Sequence, residues 1–209
     1  MKQILSIVCL ISILSCSLLA LDADSLRIKV YQFSASTSEY CTNPETVFSF
    51  DDEDAEYKDM LNNPNFGSGT LDDGTYECVI IEMSDQVKFT PSGNDGNCVL
   101  DQEETLDVCG EYDDGMVELT DGSSVDCEDD ADDRVAIYLS TATPVTADAS
   151  AFLPPSTSSP NSGLHLAAAL VVDGSSSGTL SLDTTGTVSN NTDDNVCDME
   201  APTFTFSSE

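Results

Sequence analysis

The chain has 209 residues, of which 39 are Asp or Glu and 6 are Lys or Arg, giving a formal net charge of -33 at pH 7. That balance excludes DNA and RNA as partners, because their binding is driven by basic side chains that release counterions. It equally excludes docking on anionic lipid head groups.

The length permits one large or two small domains and is enough to bury a core without relying on covalent staples. Residues 1–20, MKQILSIVCLISILSCSLLA, carry one Lys and then an apolar run from Ile4 that is too short for a stable membrane span. They read as an export signal. Within them Ile13-Leu14-Ser15-Cys16 looks like the lipobox of bacterial lipoproteins, which makes Cys16 the candidate lipidation site. Cleavage after Ala20, releasing a free protein, is the alternative. Eight cysteines are present and two fall in this leader, leaving Cys41, Cys78, Cys98, Cys109, Cys127 and Cys197. An even set in an exported chain predicts three disulfides, with connectivity left open. A zinc cluster is poorly supported, since there is no CxxC pair and only one His.

Leu26 to Phe33 alternates cleanly and is the first predicted strand; Thr46 to Phe50 is the second. The acidic run Asp51 to Glu56, followed by Tyr57 to Leu61, reads as a short helical turn stopped by Asn62-Asn63-Pro64. The turn Leu71 to Gly74 feeds a strand, GTYECVIIEM, over Gly74 to Met83. Alternation puts Glu77, Val79, Ile81 and Met83 on one face and Tyr76, Cys78, Ile80 and Glu82 on the other. Large apolar residues on both faces predict a strand inside a layered fold, with Gln86 to Thr90 as its partner.

Residues 91–133 differ in character. A turn-forming stretch, Pro91 to Asn97, precedes a segment with 15 acidic residues between Asp101 and Asp133 and no Lys or Arg. That composition alone would stay disordered, so Cys98, Cys109 and Cys127 are expected to tie it down as an acidic insertion. Arg134 to Leu139 returns to a strand pattern. Residues 141–162 are rich in Pro, Ser and Thr and read as a long loop within one domain, because the 47 residues that follow are too few for a core of their own. Gly163 to Val172 is a predicted strand, with Asp173-Gly174 turning it into a hairpin partner at Gly178 to Asp183. Pro202 to Phe206 closes the chain as an edge strand. The expected fold is all-β: an antiparallel two-sheet sandwich, prealbumin-like or Ig-like, over residues 21–209.

Motifs for chemistry are sparse. Gly174 to Gly178 formally matches GxSxG, but that elbow needs a following helix and a later His. A strand pattern follows instead, and His165 comes earlier, so a Gly- and Ser-rich turn explains the match. His165 itself reads as a half-buried or surface residue. No HExxH, P-loop or GxGxxG is present. Acidic loops suit Ca²⁺, and the densest groups are Asp113-Asp114, Asp129-Asp130, Asp132-Asp133 and Asp193-Asp194. None follows the DxDxDG spacing, so they read first as solvated charge and second as Ca²⁺ ligands. Carboxylate pairs are too numerous to point to a glycosidase.

An opening strand, Gly74-Thr75-Tyr76 at the head of a central strand, and a late hairpin from Gly163 to Val188 containing Leu180-Ser181-Leu182-Asp183 occur in that order. This resembles a domain-of-unknown-function family common in bacterial surface lipoproteins, with a prealbumin-like (transthyretin-like) β-sandwich. The resemblance covers about half of the mature chain, and the insertion at 91–133 departs from it. It implies a fold and an address at the cell envelope, and it brings no catalytic residue. The expectation is a non-enzymatic, exported envelope lipoprotein of the periplasm or cell surface that binds a protein or glycan and meets the membrane only through its lipid anchor. A calcium-stabilised adhesion domain and a secreted hydrolase using paired carboxylates are the alternatives, and no cofactor other than Ca²⁺ is expected.

Overall fold

The computed structural model describes residues 20–62, 69–109, 116–127, 132–145, 150–174 and 178–208. Every regular element among them is a strand. In chain order these are β1 (Ala23–Ser36), β2 (Glu45–Ser49), β3 (Tyr57–Asp59), β4 (Gly74–Tyr76), β5 (Cys78–Ser84), β6 (Gln86–Pro91), β7 (Glu104–Asp107) and β8 (Met116–Glu118). They continue with β9 (Ser124–Asp126), β10 (Arg134–Ser140), β11 (Leu164–His165), β12 (Leu170–Val172), β13 (Gly178–Asp183), β14 (Val188–Asn191), β15 (Val196–Met199) and β16 (Thr203–Ser208).

The spine is β1. Leu26, Ile28 and Val30 face the core, and a bulge between Val30 and Gln32 then inserts Tyr31. An extra residue resets the alternation, so Phe33 and Ala35 stay on the side that Val30 occupies. Against β1 run β5 and β6, which the sequence presents as two strands in a hairpin. They are instead one strand with a kink: β5 pairs with Val30 to Ser36 and β6 continues along β1 to pair with Ala23 to Arg27, both antiparallel. The intervening Ser84-Asp85-Gln86 has no glycine or asparagine and no residue with positive φ, which a tight hairpin turn requires.

Asp85 is the hinge of this arrangement. Its N–H donates to the Asp133 carbonyl at 3.0 Å, and its carbonyl accepts from the Val108 N–H at 3.0 Å. The N–H and C=O of one strand residue point to the same edge. Hence β10, paired with β5, and β7, paired with β6, both lie on the edge opposite β1. On the other edge of β1, β2 takes Gln32 to Ala35 and β3 takes Arg27 to Lys29. Two half-sheets therefore share β1 and curl into a half-barrel. The parallel pairing of β10 with β11, Leu139 opposite Leu164, makes this eight-stranded sheet mixed rather than purely antiparallel. Four two-stranded ribbons complete the fold: β4 with β12, β8 with β9, β13 with β16 and β14 with β15.

Three local expectations are corrected. Tyr57 to Asp59 is strand, not a helical turn, because the open edge of β1 offers hydrogen-bond partners; the Met60 N–H also reaches the Leu26 carbonyl at 2.7 Å. The stretch Gly74 to Met83 breaks at Glu77, β4 leaving to pair with β12 while β5 enters the main sheet with both faces buried. The hairpin expected between β12 and β13 does not form, since β13 pairs with the C-terminal β16. The described parts of 141–162 are irregular, as their composition implies.

The disulfides are Cys41–Cys78, Cys98–Cys197 and Cys109–Cys127. The acidic segment is thus closed on itself by one bridge and joined to β15 by another. It also supplies β7 to the main sheet. Scarce cations fasten it further: Arg27 meets Glu103 at 2.6 Å and Lys29 meets Asp132 at 3.8 Å. Three disulfides fit an oxidising, extracytoplasmic compartment. Among the described residues no helix is long and apolar enough to cross a membrane. Cys16 lies outside the described residues.

Candidate functional site: a cavity on the concave face

Alternation turns an apolar row of each long strand toward the inside of the half-barrel. Leu26 and Ile28 of β1, Ile81 and Met83 of β5, Val87 of β6, Leu106 of β7 and Ile137 of β10 line this concave face. Phe152 from the long loop, Leu182 of β13, Met199 of β15 and Phe204 of β16 lie over it. Between wall and cover is a cavity of about 680 Å³, within the size range of small-molecule sites. Among the described residues its lining is apolar apart from Ser150, Asp198 and Glu200.

The cover is held by specific bonds. The Tyr138 N–H donates to the Ala151 carbonyl at 3.1 Å and the Gly163 N–H to the Ser150 carbonyl at 2.9 Å. Gly163 has φ +76°, and a Cβ there would stand 2.8 Å from the Tyr138 carbonyl oxygen, so only glycine fits. The β14–β15 ribbon is fixed by Cys98–Cys197, by paired backbone bonds between Leu21 and Val188 at 2.8 and 2.9 Å, and by the Asn190 side-chain oxygen, which accepts from Asn97 twice.

No family model, curated protein or solved structure matches this chain. What the cavity can do follows from its walls. They offer dispersion contact and dehydration to an apolar ligand, and Ser150, the one hydroxyl in the lining, already accepts the Phe152 N–H at 3.1 Å.

Asp85 sits in the kink between β5 and β6, next to this site rather than in its lining. It falls on the core-facing parity between the lining residues Met83 and Val87, and it is fully buried. Its Oδ1 accepts the Asp133 N–H at 2.9 Å, whereas Oδ2 is a buried side-chain oxygen with no hydrogen-bond partner. Burial, followed by the charge of Asp107 and then of Asp133 and Asp132, raises its pKa to about 7 against the partial offset of the Asp133 N–H. An unfolded chain releases this proton near pH 4, so between about pH 4 and about pH 7 the folded state holds the extra proton. That stabilisation is complete below the window and is lost as pH rises through it. Denaturant titrations will show unfolding free energy falling over this range, and Asp85→Asn will remove part of the slope; an identical slope in the variant contradicts the assignment.

The acidic candidates are distributed differently from one another. Asp132 accepts from Ser84 Oγ at 2.5 Å and pairs with Lys29, while Asp133 meets Asp85 through its backbone. Asp193 and Asp194 are exposed in the turn of β14–β15, where both N–H groups donate to Asn191 Oδ1. Asp113, Asp114, Asp129 and Asp130 lie outside the described residues, as does the serine run of the GxSxG match. Among the described residues, no three His, Cys, Asp or Glu side chains are placed to hold a metal ion. His165 is half-buried on β11, its Nδ1 2.7 Å from the Thr143 carbonyl oxygen.

The convex face carries a second polar system. Glu82, 4% exposed, receives Arg134 Nε at 2.9 Å and Nη2 at 2.7 Å on Oε2. The Thr120 N–H reaches Oε1 at 3.0 Å, and the Thr120 hydroxyl donates to the same oxygen. Tyr31, the bulge residue, lies between Arg134 at 4.8 Å and Lys29 at 5.0 Å from its ring centroid.

Proposed function

We propose that this chain is an exported, non-enzymatic binding module, held at a bacterial cell envelope through acyl chains on Cys16, whose half-barrel cavity takes an apolar ligand. The cavity carries the reading: a pre-formed, apolar space of this size is the feature most often used for a small-molecule site. The three disulfides and the leader support the export route. Two half-sheets folded about β1, with ribbons over their concave side, fit a distorted form of the prealbumin-like sandwich implied by the resemblance in Gly74-Thr75-Tyr76 and Leu180 to Asp183, which we retain as the family reading.

Nile red, a neutral apolar fluorophore, will bind the purified protein saturably, and Ile137→Trp, which fills the cavity from β10, will abolish the signal while leaving the melting transition cooperative. Leu182→Trp fills it from the cover and serves where the first variant is unstable. Unchanged binding in both refutes the cavity as the site. Intact mass of the native protein will show a chain beginning at Cys16 with added acyl groups; an unmodified chain beginning at Leu21 refutes the anchor.

A further inference from the structure

We propose that Asp85 is a proton-operated clasp on the cavity, closed when its carboxyl is neutral and loosened when it ionises, so that apolar ligands bind more tightly at acidic than at alkaline pH. The clasp rests on the cavity being a ligand site and adds how that site is regulated.

The geometry points to this because one residue is bonded to both segments. Asp85 links the segment ahead of β10 to the segment after β7: its N–H donates to the Asp133 carbonyl, its carbonyl accepts from the Val108 N–H, and its Oδ1 accepts the Asp133 N–H. Met83 and Val87 beside it line the cavity, as do Leu106 and Val108 on the strand it grips. Facing it are Asp107 from the end of β7 and Asp132 and Asp133 ahead of β10. Tyr57 of β3 caps the same corner through Ser84 and the Gln86 carbonyl, and Lys29 of β1 is engaged by Asp132. A neutral carboxyl is tolerated there. An ionised one places an uncompensated charge on the partnerless Oδ2 in a buried site, opposite three further carboxylates. Desolvation and like-charge repulsion then act together, and both are relieved when the 107–108 and 132–133 segments separate. That separation opens the wall formed by Leu106 and Val108. By reciprocity, a ligand that closes the wall must favour the proton.

The test is Nile red affinity from about pH 5.5 to about pH 8.5, a window in which ordinary carboxylates are already ionised. Wild-type affinity will fall by about tenfold across it, in line with typical coupling between sites, and binding near neutrality will take up protons, seen as a buffer-dependent enthalpy in calorimetry. Asp85→Asn will bind with the acidic-limb affinity throughout and without proton uptake. His165 is the single histidine in the chain and serves as the control; His165→Gln will keep the wild-type profile. Binding that is flat with pH in the wild type, or a pH dependence that survives in Asp85→Asn, overturns the clasp alone. Absence of Nile red binding at every pH overturns the ligand reading and the clasp with it.

Discussion

Replacing Cys98 and Cys197 together by alanine will lower the unfolding free energy by about 5 kcal/mol, the largest effect expected from any single bridge. The bridge spans a sequence separation of 99, against 37 for Cys41–Cys78 and 18 for Cys109–Cys127. Loop-closure entropy grows with the logarithm of that length, which gives about 4 kcal/mol and about 3 kcal/mol for the other two. Both sulfurs are also buried in the main core, so the replacement removes packing as well as a tether. Since domains of ordinary stability hold only about 5–15 kcal/mol in total, the variant will sit near the edge of folding, and the β14–β15 ribbon will leave the cavity first. Guanidinium titrations of the three paired variants under one buffer check the ranking. A loss below that of the Cys109–Cys127 variant contradicts the claim that this bridge fastens the cover to the sheet.

Much of the sheet was legible in the composition of its strands. β1, β2 and β10 are readable from their runs of β-branched, aromatic and apolar residues, and the double-sided apolar character of Val79 to Met83 signals the central place of β5. Pairing was not legible, and the failures share a cause. Gln86 to Pro91 has the pattern of a strand whether it turns back or runs on, and only the absence of a turn residue at Ser84-Asp85-Gln86 distinguishes the two. Tyr57 to Leu61 reads as a helical turn from its acidic flank, yet the open edge of β1 offers backbone partners that a single isolated turn cannot match. Order along the chain points β13 to its sequence neighbour, whereas β16, about 25 residues further on, has the matching length and pairs with it.

The site was less legible than the fold. Its apolar lining was visible strand by strand, but a cavity is a property of how strands curl, and no local pattern records curvature. Asp85 and Glu82 did leave a signal that went unused. Glu82 was placed on a face otherwise filled by Tyr76, Cys78 and Ile80, and Asp85 continues the row of Val79, Ile81 and Met83. A charged residue on a buried parity predicts either a partner or a displaced pKa. One of each is found: Glu82 has Arg134, and burial pushes the Asp85 carboxyl up to about 7. Dense acidic runs are a poorer guide, since Asp193-Asp194 has the spacing of a hairpin turn.

Glu82 gives the second large effect. Arg134→Met will cost about 3 kcal/mol, because among the described residues it leaves the buried carboxylate with the two Thr120 donors alone. The converse, Glu82→Met, will cost less: Arg134 has 35% of its side chain in solvent, remains over the Tyr31 ring and has Asp52 4.0 Å away. The double variant will recover most of the loss, since two methionines leave no buried charge and keep the volume. The asymmetry follows from position. Glu82 lies opposite Gln32 and Ala136 in the middle of the sheet, buried, whereas Arg134 opens β10 with its side chain partly in solvent. A cycle built from these three variants therefore measures how much of the pairing is attraction and how much is the avoided cost of an unpaired ion. Equal losses in the two single variants, or a double variant as unstable as Arg134→Met, contradict this account and point to Arg134 acting through its contact with Tyr31 alone.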